Sequence, residues 1–200
     1  AESRGLYAEL DLWVFNRALD DLPSLQKIIG ANGKLSINIS SAQLDSGEFF
    51  YQLMLALKNK GVTSTNLELE ITETFEAVMS KRVESNLALL KQAGFNLALD
   101  DFGAGHTSLN QLVEYPVDVI KIDRSFVSDI SNSSSSLVLI KGMVDVITNL
   151  GKELVIEGAE TQQQINILKE LNVKKIQGFF FYKPLKVQNA LDTLDNTAVH

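Results

Sequence analysis

The chain has 200 residues, 45% of them hydrophobic and 22% charged, which is the composition of a globular protein with one sizeable core. No apolar run approaches the roughly 20 residues of a membrane-spanning helix, and the absence of cysteine excludes disulfides and thiolate metal sites and fits a reducing cytoplasm. The net charge of −7 argues against general nucleic-acid binding, so a phosphate ester substrate would need divalent cations to offset the repulsion.

The predicted elements begin with two helices, at about 6–18 and 24–29. Strand-length apolar runs rich in Val, Ile and Leu then alternate with segments of helical spacing. These six runs are 35–39, 67–71, 96–99, 117–122, 153–156 and 175–179. Gly61, Gly94 and Gly151 are predicted to close helices, and Thr161 with Gln164 predicts a capping box. The serine-rich stretch 131–136 predicts a flexible loop before a helix at Leu137.

This alternation predicts an α/β fold with a parallel sheet and helices packed outside it. A doubly wound sheet would have a glycine-rich phosphate turn after its first strand, and the sequence LSINISSAQ has none. A barrel of the (β/α)₈ type has eight strands in about 250 residues, whereas this sequence offers six in 200. We therefore predict a single domain over 1–200, a TIM-like (β/α) barrel that lacks about its first two strands.

Polar side chains stand where each predicted strand ends. They are Asn38, Glu70, Asp100, Asp101, Lys121, Asp123, Glu157 and Gln177. In β/α barrels the active site forms at this end of the strands. Acidic groups beside an apolar strand are unfavourable unless a cation pairs with them, and carboxylate and amide oxygens suit hard divalent metals. The pattern therefore predicts a metal site with oxygen ligands.

Each of these residues also has a purely structural interpretation. Lys121 would then point from its strand into solvent, and Asn38 would be a turn residue. Glu70 and Glu157 would each form a structural ion pair. Asp100 and Asp101 would cap the loop that follows them, and Gln177 would stabilise a bend. Six such explanations would have to hold at equivalent positions of six repeats. The coincidence favours a functional site.

Six segments carry a resemblance to a known family. SINISSAQ, LELEITET, LALDDFGAGHTSL, PVDVIKIDRSFV, VIEGAET and KIQGFFFYKPL match its motifs in order and spacing. Over essentially all 200 residues, the chain resembles the EAL-domain phosphodiesterases of bacterial cyclic di-GMP signalling. The resemblance implies hydrolysis of one phosphodiester bond of cyclic di-GMP, which gives linear pGpG.

The resemblance also implies a role for each residue. Two Mg²⁺ or Mn²⁺ ions would be held by Asn38, Glu70, Asp100, Asp101 and Glu157. The implied catalytic residues are Lys121, which holds or deprotonates the attacking water, together with Glu157 and Gln177; Asp123 would bind substrate. Glu73, Phe102, Gly103 and Gly105 would anchor the loop that couples dimerisation to activity. The implied partners are cyclic di-GMP, a second copy of the chain, and sensor or GGDEF domains in the parent protein.

The chain departs from the family pattern in several places. His106, Ala159 and Phe179 stand where Tyr, Val and Tyr are usual. The resemblance also places the E-A-L segment, with its metal-binding glutamate and a nearby arginine, before Ala1. We therefore expect weakened activity and an exposed edge on Leu35–Ile39, so that the chain associates through that edge or binds metal poorly.

Three other functions compete with a phosphodiesterase. A non-catalytic cyclic di-GMP receptor would be expected to lose metal ligands throughout the domain, and a structural dimerisation module needs no set of polar strand ends. A different metal-dependent barrel hydrolase would not explain the order of all six motifs. The retained strand-end residues favour the phosphodiesterase.

Overall fold

A computed structural model of the chain describes residues 2–72, 80–104 and 111–197. The chain forms two compact units, one made of Ala1–Ile71, Ala77–Asn96 and Leu185–His200, the other of Thr72–Glu76 and Leu97–Pro184. Within the described residues, no helix combines the length and the apolar character needed to cross a membrane.

The first unit contains two parallel strands with helices before, between and after them. Its helices are α1 (Glu2–Ile29), α2 (Ser41–Leu44), α3 (Phe49–Lys60), α4 (Lys81–Gln92) and α9 (Val187–Thr197). Strands β1 (Leu35–Ile39) and β2 (Leu67–Thr72) pair in parallel with Leu35 opposite Leu67. Their alternate residues Ile37, Ile39, Leu67, Leu69 and Ile71 are buried and form the core of this unit with apolar residues of the helices.

Helix α1 corrects the prediction of two separate N-terminal helices, because it continues through Pro23. Proline removes one backbone hydrogen bond and normally interrupts a helix. Here Phe15, Leu19 and Leu22 lie on one face at helical spacing and are each at most 1% exposed. Beyond the proline, Leu25 and Ile28 continue this face at helical spacing and are partly buried, and this burial offsets the loss at the proline.

The second unit contains four parallel strands that pair in chain order where their pairing is described. They are β3 (Asn96–Phe102), β4 (Val119–Ile122), β5 (Glu153–Ile156) and β6 (Lys175–Ile176). The helices between them are α5 (Gln111–Glu114), α6 (Ser125–Ser128), α7 (Ser134–Asn149) and α8 (Gln162–Glu170). All four residues of β4 are buried, as expected for a central parallel strand covered on both faces.

All six predicted strands are present, with corrected ends. Strand β4 begins at Val119 rather than at residue 117, and β6 ends at Ile176 because the chain then turns to donate hydrogen bonds from Phe180 and Phe181 to the Ala159 and Gly178 carbonyls.

Helix α7 begins at Ser134, inside the stretch predicted as a loop, because the Ser133 side chain accepts a hydrogen bond from the N–H of Ser136 and caps the helix. The predicted capping box of Thr161 and Gln164 is confirmed at the start of α8, and Gly61, Gly94 and Gly151 all have positive φ.

Candidate active site

Lys121 lies at the centre of the charged cluster in the second unit. Its side chain comes from the buried strand β4, and the residue is only 4% exposed. Its Nζ lies 2.9 Å from Oδ1 of Asp100, near the end of β3, and 2.7 Å from Oε1 of Glu157, which directly follows β5. The interpretation that Lys121 points into solvent is therefore wrong. One ammonium group is shared by two partly buried carboxylates.

Asp100 and Asp101 are consecutive in β3, so a regular strand would point their side chains to opposite faces. The pairing of β3 with β4 is irregular between Leu99 and Phe102, and Asp101 has a φ of 55°. This conformation is uncommon for a non-glycine residue, and such irregularities often re-aim side chains at functional sites. The irregularity lets both carboxylates contribute to one cluster.

Oxygen atoms of Asp100, Asp101 and Glu157 lie within 4.8 Å of one another. Carboxylate oxygens at this spacing are the donor set that Mg²⁺ and Mn²⁺ accept. Lys121 supplies one positive charge against the three carboxylates, so a further cation would offset the excess negative charge. The residues present therefore fit a divalent metal ion.

Asp123 follows β4 and its carboxylate lies at the start of α6. Burial disfavours its charged form, but hydrogen bonds from the Ser125 side chain and from the backbone of Ser125 and Arg124, together with the Arg124 charge, outweigh that effect. The pKa of Asp123 is therefore held below its ordinary value of 3.8. The Ser125 N–H to Oδ1 distance is 3.0 Å. Asp123 thus remains ionised at neutral pH.

A cleft with a volume of about 720 Å³ opens beside this cluster, within the second unit. Its polar and aromatic lining residues include Asp101, Asp123, Arg124, Glu157, Glu160, Gln177, Tyr182 and Lys183. Gln177 lies just after β6, where its N–H donates to Ile156 O and its own carbonyl accepts from Ala159 N–H. The volume lies within the range of small-molecule sites.

Asn38 and Glu70 lie in the first unit and are direct register partners in β1 and β2. Register partners in a sheet project to the same face, so their side chains are neighbours. Glu70 is 8% exposed, which is low for a carboxylate, whereas Asn38 is exposed. Their role as metal ligands stays a prediction.

The predicted loop anchors are only partly covered by the structure. Phe102 is buried opposite Ile122, and Gly103 has a φ of 93° with Phe126 so close that a Cβ would lie 2.4 Å from its ring. Glu73 and Gly105 lie outside the described residues. The coupling of this loop to dimerisation stays a prediction.

Three charged residues of the cleft were not predicted from the sequence, namely Arg124, Glu160 and Lys183. Arg124 directly follows Asp123, and Glu160 lies three residues after Glu157. A search that included the first three residues after each predicted site residue would have found both. Lys183 lies six residues after Gln177, at a distance that strand-end reasoning does not reach.

The EAL domain family model matches residues 1–184. The chain belongs to the EAL domain family. This EAL domain is 33% identical over 185 residues to the cyclic di-GMP phosphodiesterase NbdA of Pseudomonas aeruginosa, with 92% of the chain and 24% of NbdA aligned. It is also 33% identical to an uncharacterised Mycobacterium tuberculosis protein, covering 30% of that protein. The chain thus spans 24% and 30% of the lengths of these two relatives.

Solved structures agree with the family assignment. The EAL enzyme Bd1971, in a form bound to cAMP and cyclic di-GMP, superposes with a TM-score of 0.89 at 26% identity over 95% of this chain and 52% of its own. A manganese and cyclic di-GMP complex of Klebsiella pneumoniae BlrP1 gives a TM-score of 0.77 at 29% identity, covering 86% of this chain and 43% of BlrP1. The EAL domain therefore has the predicted α/β, TIM-like barrel type of fold.

Proposed function

We propose that this EAL domain is a metal-dependent phosphodiesterase that hydrolyses cyclic di-GMP to linear pGpG. The observation that carries the proposal is the cluster of Asp100, Asp101, Glu157 and Lys121 beside a cleft of about 720 Å³. The family assignment and the cyclic di-GMP complexes of similar proteins support cyclic di-GMP as the substrate.

Asp100, Asp101 and Glu157 are the described residues that would hold the metal, with Asn38 and Glu70 as further ligands predicted from the family resemblance. We propose Mg²⁺ or Mn²⁺, because both prefer oxygen ligands. When bound, such ions supply positive charge that attracts the substrate phosphate and favours ionisation of a nearby water.

We propose that Lys121 holds and orients the attacking water. Its ammonium already contacts one oxygen each of Asp100 and Glu157, so its own position is fixed before substrate arrives. A positive charge at this point favours the deprotonated form of an adjacent water. Glu157, whose Oε1 also contacts this ammonium, would accept a hydrogen bond or a proton from that water.

Gln177 and Asp123 have supporting roles, in positioning water and in binding substrate. Gln177 lines the same cleft as Glu157, and its side-chain amide would position water by hydrogen bonding. The Asp123 carboxylate, ionised at neutral pH, would accept hydrogen bonds from donor groups of the substrate. The reaction adds one water across one P–O bond, which leaves a 5′-phosphate and a free 3′-hydroxyl.

Further partners follow from the family resemblance. We propose a homodimer, accompanying sensor or GGDEF domains in the whole protein, and a cytoplasmic location. The relatives are three to four times longer than the aligned segment, which supports the presence of additional domains.

The test is incubation of the protein with cyclic di-GMP and Mg²⁺ or Mn²⁺, followed by chromatography for pGpG. Wild-type protein should form product, and Asp100→Asn should lower the rate by about 10² or more, because a metal-binding carboxylate is lost. Tight binding of cyclic di-GMP without product would contradict the proposed phosphodiesterase activity and favour a non-catalytic receptor. Neither binding nor product would contradict both.

A further inference from the structure

The side chain of Gln164, in the first turn of α8, is buried and makes three hydrogen bonds to the backbone. Gln164 is 7% exposed, whereas glutamine is mostly exposed in proteins. Its Oε1 accepts from the N–H groups of Glu160 (2.8 Å) and Thr161 (2.9 Å), and its Nε2 donates to the Val127 carbonyl at 3.1 Å. Capping α8 needs only the bond to Thr161. The other two bonds join separate segments of the second unit.

These segments carry the walls of the cleft. Glu160 and Thr161 end the loop that begins at Glu157, directly after β5. Val127 belongs to α6, and its N–H donates back to the Arg124 carbonyl at 3.0 Å. Through Val127, the Gln164 amide is therefore linked to the Asp123–Arg124 segment that follows β4. One side chain connects the loops after two adjacent strands.

The two loops also touch directly, and with no spare room. Gly158 has a φ of 76°, and a Cβ built on it would lie 2.1 Å from the Cβ of Arg124. On its other side, the loop meets the segment after β6, where a Cβ on Gly178 would lie 2.0 Å from the Ala159 carbonyl oxygen. Contacts this close mean that neither loop can shift without displacing the other, so their relative position depends on the hydrogen bonds that anchor each loop.

We propose that Gln164 is a positioning residue for the cleft, an inference that rests on the proposed phosphodiesterase function. Its amide sets the spacing between Glu157 and the Asp123–Arg124 segment, and through Glu157 it fixes the position of the Lys121 ammonium. A displacement of about 1 Å in such groups can lower a rate by up to about a hundredfold.

Three variants separate this role from simple helix capping. Gln164→Met keeps the length of the side chain but removes all three of its hydrogen bonds. Gln164→Glu keeps the two acceptor bonds and loses the donor to Val127, because an ionised carboxylate donates none. Thr161→Ala is the matched control, since it removes the reciprocal cap, in which Thr161 Oγ1 accepts from Gln164 N–H at 3.2 Å, and leaves the Gln164 amide intact.

The experiment combines steady-state kinetics for cyclic di-GMP with amide hydrogen exchange, read by mass spectrometry over peptides covering 124–130 and 157–161. Gln164→Met should lower kcat/KM about tenfold to a hundredfold and speed exchange in both peptides. Gln164→Glu should speed exchange in 124–130 and raise KM more than it lowers kcat, because the affected segment binds substrate. Thr161→Ala should lower Tm while kcat/KM stays within about threefold of wild type.

Equal losses of kcat/KM in Thr161→Ala and Gln164→Met would overturn the proposal, because capping would then explain both. Unchanged exchange over 124–130 in Gln164→Glu would also overturn it. If wild-type protein does not hydrolyse cyclic di-GMP, the proposed function fails. The positioning role of Gln164 is then tested by hydrogen exchange alone. Faster exchange in both peptides for Gln164→Met but not for Thr161→Ala supports the positioning role, and equal exchange overturns it. Should Gln164→Met fail to fold, Gln164→Glu gives the deciding comparison.

Discussion

Replacement of Lys121 by methionine tests the charge arrangement at the centre of the site. The substitution removes the ammonium that contacts Asp100 at 2.9 Å and Glu157 at 2.7 Å, while it keeps an unbranched side chain in the same buried position. The two carboxylates are only 13% and 15% exposed, so solvent replaces the lost charge poorly. Removing one partner of a buried ion pair typically destabilises a protein by about 3–5 kcal/mol. We expect about 3 kcal/mol at pH 7 without metal.

Divalent metal should reverse part of this loss. If Asp100 and Glu157, the carboxylates that contact Lys121, also hold the metal, a bound cation supplies the missing positive charge. At a concentration of 100 times its Kd, a ligand that binds only the folded state adds about 2.7 kcal/mol to the free energy of unfolding. The stability difference between wild type and Lys121→Met should therefore shrink in Mg²⁺ or Mn²⁺. Hydrolysis of cyclic di-GMP should still fall by about 10²–10⁴, because the water-orienting group is absent.

The assay is urea unfolding followed by circular dichroism, in EDTA and in saturating metal. Lys175→Met is the matched control, since Lys175 pairs with Glu153 and both side chains are largely exposed. Exposed pairs contribute about 0–1 kcal/mol, so this control should change stability little. Glu157→Gln combined with Lys121→Met should be less destabilising than the sum of the two single changes, because only one unpaired carboxylate then remains. The reasoning is refuted if Lys121→Met is as mild as Lys175→Met, or equally unstable with and without metal.

Three further predictions concern stability. Gly158→Ala should destabilise by about 1–3 kcal/mol, since φ is 76° and the new Cβ would overlap Arg124, and a thermal unfolding midpoint equal to wild type would contradict this. Because the pKa of Asp123 is lowered from 3.8, its stabilising contribution is complete above pH 3.8 and is lost as the pH falls through the folded-state pKa. Asp123→Asn should therefore weaken the dependence of the free energy of unfolding on pH in the acid range, and an unchanged dependence would contradict this. Adding EDTA to protein in Mn²⁺ should lower Tm for wild type but not for Asp100→Asn with Asp101→Asn, and equal shifts in both would exclude these carboxylates as ligands.

The sequence by itself determined the alternation of strands and helices and the position of each polar strand end. Two patterns made the strands detectable: β4 is buried along its whole length, whereas β1 and β2 alternate apolar and polar residues. Motif order identified the EAL family, which the family model supports over 1–184. The helix cap at the start of α8 was also predicted correctly, because capping depends on residues close in sequence: Thr161 and Gln164 form the predicted capping box. Reduced activity and association through the β1 edge stay predictions.

Only the tertiary structure decided how the side chains meet. Local sequence signals could not place Pro23 inside a helix, because burial of a long apolar face overrode the local preference. Nor could they show that Asp101 has a positive φ that brings two consecutive carboxylates together, that Lys121 is shared by Asp100 and Glu157, or that Gln164 joins two cleft loops. Lys121 lies 21 and 36 positions from its two partners, and Gln164 lies 37 positions from Val127; no local pattern records such contacts.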